Sequence, residues 1–181
     1  MKVKLKGLRP PIWRKFFVPS NITLDKLHHV IQKLMDWMDS HLHQFIIYDE
    51  TYVDRTGPMD EGRDESKFSL DSFGFGKNSK FEYIYDFGDW WEHELTVLDA
   101  DYQPEDPEKI AGCVGGKYAC PPDDIGGPVG YAWTLGILAD PKHPDYEDRK
   151  EFFEDLTGED FDPEYFSAME KDIRLRIMKF T

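Results

Sequence analysis

A run of nine residues, 85–93, combines two tryptophans with three carboxylates and a histidine. A surface hairpin ordinarily uses tryptophan sparingly and gains little from so many ionisable groups beside it. Since perturbed ionisable groups gather at functional sites, we interpret the run as one wall of a binding site. The residues of this run that we assign to binding are Tyr85, Asp86, Asp89, Trp90, Trp91 and His93.

Two histidines, His41 and His43, lie in a segment that has the alternation of a strand. The two-residue period of a strand would place both imidazoles on one face. The same period places Asp89 and His93 on one stripe of the aromatic run, so the sequence offers four ligands for zinc or manganese. The predicted metal ligands are His41, His43, Asp89 and His93. The stripe is equally compatible with a structural ion-pair network.

A segment rich in glycine and proline, residues 113–128, contains four glycines and three prolines. This composition predicts an irregular loop, because proline holds the backbone rigid and glycine permits unusual backbone angles and close approach. The loop would present Asp123 and Asp124 in a fixed geometry, and we assign both to the binding site. It has neither the ending of a P-loop nor the spacing of a dinucleotide-binding fingerprint, which argues against a phosphate cradle.

The elements that position these residues include strands with a two-residue period. The predicted strands, in chain order, are residues 2–8, 12–18, 41–48, 81–86 and 89–98. The last two form a hairpin whose two-residue turn would place Glu82 opposite His93 and Ile84 opposite Trp91. Residues 51–80 are rich in Asp, Gly and Ser and are predicted to form a surface excursion.

Helices are predicted at residues 24–38, 128–138 and 144–156, and a further helix opens at Asp162 and Pro163. The first carries an apolar stripe that includes His28, which we interpret as a core-edge histidine bonded to a backbone group. The last carries an apolar stripe of Phe166, Met169, Ile173 and Ile177. These patterns predict one α+β domain over residues 1–181, mainly an antiparallel sheet packed against helices, with a helical C-terminal part.

The 181 residues carry a net charge of −14, although all six charged residues before Asp25 are basic. So acidic a body would repel a phosphate backbone, which argues against direct nucleic-acid binding. No stretch approaches the roughly 20 apolar residues of a membrane span, and the N-terminus lacks the order of a signal peptide. We therefore expect a cytoplasmic protein without a membrane contact, in which Cys113 and Cys120 are free thiols.

Five ordered motifs cover nearly the whole chain. They are PPIWR at 10–14, LH at 27–28, Trp37 with HLHQF at 41–45, YDFGDWWEH at 85–93, and PPDDIGG followed by GY between 121 and 131. In this order they resemble the Ri-plasmid open-reading-frame-three-like family. The resemblance implies an α+β fold, with an antiparallel sheet backed by helices, and no settled biochemical activity. Asp123 stands where the family often has glutamate, which keeps the acidic character.

The resemblance also implies a relation to resolvase-type recombinases. Such enzymes need a nucleophilic hydroxyl surrounded by several arginines that neutralise the scissile phosphate. The seven arginines of this chain are dispersed, and their closest pairs fall in a strand and in the terminal helix. We therefore discount recombinase catalysis and retain a resolvase-related accessory protein of mobile DNA as one alternative.

Three further functions remain open at the level of sequence. A binding module would use a groove made by the aromatic run, the strand of His41 and His43, and the glycine-proline loop. Aromatic rings beside carboxylates attract cations, so its ligand would be a cationic small molecule or a basic peptide. A metal-dependent hydrolase would combine the predicted ligands with Asp86, Glu92 or Asp124 as the general base. In the third alternative the same residues only stabilise the fold.

Overall fold

An eight-stranded sheet with helices packed on it forms the body of the protein, as seen in a computed structural model that describes residues 1–59 and 61–176. The strands are β1 (Lys2–Leu5), β2 (Trp13–Phe17), β3 (His43–Ile47), β4 (Glu50–Val53), β5 (Arg63–Asp64), β6 (Lys80–Tyr85), β7 (Trp91–Thr96) and β8 (Gly112–Lys117). The helices are α1 (Leu24–Met35), α2 (Gly127–Leu138), α3 (Tyr146–Thr157) and α4 (Ala168–Arg176). Among the described residues, no helix combines the length and the apolar character needed to cross a membrane.

The strand order is β5-β4-β3-β6-β7-β1-β2-β8. Neighbouring strands are antiparallel except for β4 and β5, which run parallel. The N-terminal strand β1 therefore lies inside the sheet, between β7 and β2. This architecture confirms the predicted α+β class, with a mainly antiparallel sheet and a helical C-terminal part.

One face of the sheet carries the hydrophobic core. Val3, Phe45, Tyr83, Trp91 and Leu95 are all buried on it, in the alternation that a half-buried antiparallel strand requires. Helix α1 covers this face with its own buried stripe of leucine, valine and isoleucine. The opposite face is polar and carries ion pairs between Lys6 and the two glutamates Glu82 and Glu92.

Helix α1 ends at Met35, three residues before the predicted end. Asp36 follows in the left-handed backbone region, and its backbone N–H donates to the Gln32 carbonyl, as is typical of a helix terminus. Met38, which the sequence pattern placed on the buried stripe, is 84% exposed. The prediction was wrong here because Asp36 turns the chain away and pairs with Lys171 and Arg174 of α4.

The hairpin of β6 and β7 has a different register from the predicted one. Its pairs are Tyr83 with His93 and Tyr85 with Trp91, so five residues rather than two form the turn. Asp86 and Trp90 both have positive φ angles, of 57° and 55°. The Asp86 carboxylate accepts a hydrogen bond from the Gly88 backbone N–H at 2.8 Å and so stabilises the wider turn.

The first part of the glycine-proline segment is a strand, which corrects the prediction that the whole segment is irregular. Gly112–Lys117 pairs with β2 across a bulge. A Cβ on Gly112 would lie 2.6 Å from the ring of Phe17, and one on Gly116 would collide with the ring of Phe166. Glycine here lets aromatic rings pack directly on the strand, so its presence marks close packing and not a loop.

Helix α4 begins at Ala168, later than predicted, and buries a different face. Met169 and Ile173 of the predicted stripe are exposed, whereas Lys171, Asp172 and Leu175 are buried. Leu175 enters the core at 0% exposure, and the two buried charged residues beside it are paired, Lys171 with Asp36 and Asp172 with Lys109. Ile177, the last member of the predicted stripe, lies outside the described residues.

Candidate functional site

Two adjacent histidines near the middle of α1 belong to a polar site that faces a cleft. Successive helical residues point about 100° apart. His28 therefore faces the sheet and is 2% exposed, whereas His29 lies at the rim of a cleft. Asp39, held in the left-handed region with φ of 60°, directs its carboxylate back to both rings. One oxygen lies 2.6 Å from His28 Nε2, and the other lies 3.3 Å from His29 Nδ1.

A closed cycle of hydrogen bonds fixes this arrangement. The Asp39 backbone N–H donates to Gln32 Oε1 at 3.1 Å, and Gln32 Nε2 donates to the Tyr83 hydroxyl at 3.0 Å. Tyr83 Oη lies 2.8 Å from His28 Nδ1, and His28 Nε2 completes the cycle at Asp39. A neutral His28 that donates from Nε2 and accepts at Nδ1 satisfies all four bonds at once.

A second histidine-carboxylate pair lies against the first. The rings of His43 and His28 stack with centroids 3.5 Å apart and planes 6° apart. His43 Nε2 lies 3.0 Å from both carboxylate oxygens of Glu65, which is itself only 3% exposed. A carboxylate in this position fixes the orientation of the imidazole. We name His28, His29, Asp39, His43 and Glu65 the histidine cleft.

The histidine cleft opens into a cavity of about 530 Å³. Its described lining contains four imidazoles and five carboxylates but neither lysine nor arginine, so the cavity favours cations over anions. Burial lowers the pKa of His28 to about 4. Burial opposes ionisation of Asp39, but the hydrogen bonds from His28 and His29 outweigh it and hold the pKa of its carboxyl below the usual range.

The donor atoms of His28, His29 and Asp39 lie within 4.8 Å of one another. Two imidazoles and one carboxylate, with a coordination position left for water or substrate, are the ligand set of many catalytic zinc sites. A metal bound at His28 Nε2 would place the ring proton on Nδ1, where it would donate to Tyr83 Oη. Such an outer hydrogen bond is the usual partner of a metal-bound histidine.

A second cluster brings together three residues that the sequence analysis singled out. His41 Nδ1 lies 3.7 Å from Asp86, and His41 Nε2 lies 3.4 Å from Asp124. The three donors come from the loop before β3, the β6–β7 turn and the glycine-proline loop, and they lie within 4.8 Å of one another. Burial raises the pKa of the adjacent Asp123 to about 6, with a further contribution from Asp124 and Asp86. We name His41, Asp86 and Asp124 the acidic site.

The four predicted metal ligands are not brought together. His41 belongs to the acidic site, whereas His43 is bonded to Glu65 in the histidine cleft. Asp89 accepts a hydrogen bond from the Gly126 backbone N–H at 3.1 Å. His93 is fully buried against Trp37 and Tyr83, and this burial lowers its pKa to about 4. The set was assembled on strand alternation alone, which does not fix how far apart two stripes lie.

The other predicted residues divide between surface and core. Trp90 is 48% exposed, whereas Trp91 is completely buried. Tyr85 is also buried, and its hydroxyl accepts a hydrogen bond from the Ser40 backbone N–H at 3.1 Å. Glu92 pairs with Lys6 on the polar face of the sheet, so it does not share a site with the candidate bases Asp86 and Asp124.

Sequence reasoning missed most of the histidine cleft. His28 is bonded to side chains and not to the backbone group we predicted. A local signal was present, since four of the six histidines lie between residues 28 and 43. Glu65 gave no signal, because it comes from the excursion after β5 and meets His43 only in three dimensions.

The chain belongs to the plasmid pRiA4b ORF-3-like protein family, whose model matches residues 1–170. The uncharacterised protein y4hQ of Sinorhizobium fredii is 34% identical over 158 residues, an alignment that covers 79% of this chain and 74% of the relative. A crystal structure of MM3350, a protein of unknown function from Methanosarcina mazei Go1, has a TM-score of 0.78. It is 34% identical and covers 93% of this chain and 94% of its own. These matches confirm the resemblance and the fold, and neither relative carries a described activity.

Proposed function

We propose that the protein is a metal-dependent hydrolase whose divalent ion is held by His28, His29 and Asp39. The observation that carries this proposal is the convergence of their three donor atoms at the rim of a cavity. Two imidazoles with one carboxylate favour zinc over magnesium or calcium, which prefer oxygen ligands. A zinc ion bound there would make water nucleophilic at neutral pH.

The pair of Glu65 and His43 supplies the acid and base chemistry in this proposal. Glu65 holds His43 Nε2 with both oxygens, so in this proposal the other ring nitrogen exchanges the proton with a bound molecule. His43 also lines the cavity and stacks on His28. The ring that transfers the proton is therefore in direct contact with a proposed ligand of the ion.

The charge of the cavity limits the substrate. Asp25, Asp54 and Asp64 join the carboxylates of the histidine cleft in its lining, which contains neither lysine nor arginine among its described residues. Lys67, outside this lining, pairs with Asp64 at 3.9 Å. This lining would repel a phosphate ester and suits a neutral or cationic substrate. We therefore propose a small ester or amide as the substrate class.

Metal titration tests the site. Isothermal calorimetry of the metal-stripped protein with zinc should show one tight site, which is lost in His29→Ala and Asp39→Asn. Both variants leave the core intact, since His29 is half-exposed and asparagine accepts the left-handed angle of Asp39. We expect zinc affinity to fall at least about 100-fold, in line with the loss of a ligand. The matched control is His143→Ala, a partly exposed histidine outside the cleft.

Two results would overturn the proposal. One is equal zinc affinity in wild type, His29→Ala and His143→Ala. The other is loss of zinc only in His41→Ala, which would assign the ion to the acidic site.

Catalysis is tested with a set of chromogenic esters and amides on the zinc-loaded protein, where His43→Ala should abolish turnover and retain zinc. Unchanged turnover in His43→Ala would contradict its role as acid and base.

A cation-binding module is a second candidate function, favoured by the acidic site beside the half-exposed Trp90. The Trp90 backbone N–H bonds to the Asp86 carbonyl, so Trp90 and Asp86 lie in the same turn. An arginine-rich peptide should bind wild type and bind Asp86→Asn and Asp124→Asn several-fold more weakly. Both positions have positive φ angles that asparagine tolerates, and Asp101→Asn is the exposed control. Equal binding by all four proteins would exclude this function.

A further inference from the structure

A buried arginine far from the histidine cleft has an unsatisfied nitrogen. Arg14 of β2 is 0% exposed. Its Nε donates to the Leu34 carbonyl, and its Nη1 donates to the carbonyls of Trp13 and Lys117, each at 3.0 Å. Its Nη2 is buried and has no hydrogen-bond partner among the described residues. A buried donor in this state is costly, and an ionised one more so.

The same arginine lines a cavity of about 480 Å³ between α1, α4 and the loop that follows β8. Apolar side chains form much of its wall, namely Met35, Pro121, Pro122, Leu156, Phe161 and Phe166. The guanidinium lies over the Phe166 ring, 4.6 Å from its centroid. The cavity thus combines an arginine nitrogen that has no hydrogen-bond partner, several apolar side chains and further charged residues.

Most of the other charged side chains of this cavity are bonded to neighbouring groups, and Asp160 adds a further carboxylate to its wall. Asp36 pairs with both Lys171 and Arg174, so these two cations share one carboxylate. Asp162 accepts the Glu164 backbone N–H, and Glu170 is bonded to Tyr165. Within the described chain, no carboxylate forms an ion pair with Arg14. The nearby acids disfavour a multiply charged anion, which leaves a monoanion as the fitting partner.

We propose that this cavity binds a small organic monocarboxylate. The carboxylate accepts from Arg14 Nη2, and the apolar body packs against Phe166 and Leu156. Arginine and carboxylate form strong charge-assisted hydrogen bonds, and burial removes the competition from water. This site is separate from the histidine cleft and does not depend on a metal there.

Calorimetry with phenylacetate as the probe tests the site, with benzoate and hexanoate as further carboxylates. Phenylacetate should bind with one site per chain, and the neutral isostere phenylacetamide should bind at least about tenfold more weakly. Arg14→Gln should lower the affinity for phenylacetate by a similar factor and leave the affinity for phenylacetamide unchanged. Since Arg14 is fully buried, circular dichroism must first show that this variant is folded.

Ala119→Leu is a second test of binding in this cavity, which can be used if Arg14→Gln does not fold. Ala119 lines the cavity, so the larger side chain fills part of it without removing any hydrogen bond of Arg14. We expect Ala119→Leu to lower the affinity for phenylacetate at least tenfold, about as much as the loss of a charged hydrogen bond would. The control is Ala132→Leu, on the exposed side of α2, which should leave the affinity unchanged. The proposal is overturned if none of the three carboxylates binds, if phenylacetamide binds as tightly as phenylacetate, or if Ala119→Leu binds like wild type. Tighter binding of inorganic phosphate than of phenylacetate would also overturn it.

Discussion

The imidazole rings of His28 and His43 lie face to face, 3.5 Å apart at their centroids, and each is bonded to its own carboxylate. Two protonated imidazoles at this distance would repel each other strongly in a buried environment. Burial is the main cause that lowers the pKa of His28, and an electrostatic contribution from His43 acts in the same direction. The stack therefore accommodates one proton or one metal ion more readily than two positive rings.

Removing Glu65 tests how much this stack depends on its second carboxylate. Glu65→Ala should lower the free energy of unfolding by about 1–3 kcal/mol, because it leaves a buried ring nitrogen of His43 without a partner. Glu65→Gln retains an acceptor and should cost clearly less. Urea denaturation measures both values, and equal losses in the two variants would contradict the role assigned to the hydrogen bond.

The buried His93 should make stability depend on pH. Its pKa is lowered from 6.5 to about 4, so the unfolded chain takes up a proton first as the pH falls. The stabilising contribution is complete above pH 6.5 and decreases from there towards pH 4, by about 3 kcal/mol in total. His28 acts in the same direction, which makes a variant comparison necessary.

His93→Phe isolates this contribution, because phenylalanine retains a ring against Trp37 and removes the buried Nε2 that has no partner. As the pH falls from 7 to 5, we expect the free energy of unfolding of the wild type to decrease more than that of His93→Phe. Parallel stability curves for the two proteins would show that His93 does not titrate as described.

The glycines of β8 should differ sharply in their tolerance of a methyl group. A Cβ at Gly116 collides with the Phe166 ring, whereas one at Gly115 meets only Trp13, at 4.0 Å. Gly116→Ala should destabilise the protein by about 1–3 kcal/mol through overpacking. Gly115→Ala is the matched control and should be close to neutral. Thermal unfolding compares them, and similar melting temperatures would refute the close packing of Phe166 on the strand.

The two adjacent tryptophans should contribute very unequally to stability. Trp91 is fully buried in the core and Trp90 is 48% exposed. Trp91→Phe should cost well over 1 kcal/mol because it leaves a cavity, whereas Trp90→Phe should change stability by less than about 0.5 kcal/mol. Chemical denaturation measures this difference, and comparable losses would contradict the hairpin register.

Sequence periodicity was sufficient for the elements that repeat a simple pattern. The alternation of Trp91, His93 and Leu95 placed these residues on one face, and all three are buried. The register was not predictable, because the five-residue turn depends on the backbone angles of Asp86 and Trp90. Alternation specifies which side a residue faces but not which residue lies opposite.

The candidate sites show the same limit. His41, Asp86 and Asp124 were singled out individually, and they meet because each lies in a loop at the same end of the sheet. The histidine cleft depends on the left-handed turn at Asp39 and on Glu65, which follows β5 at the edge of the sheet. Local composition carries no information about either contact.

The interior position of β1 also has a kinetic consequence. Val3 pairs with Leu95 of β7, while Lys15 of β2 pairs with Gly115 of β8. During synthesis β1 emerges long before β7, its second partner in the sheet. The long chain segment between the two strands makes their pairing slow. The hairpin of β1 and β2 therefore emerges with neither outer edge paired and stays so until β7 and β8 have been synthesised.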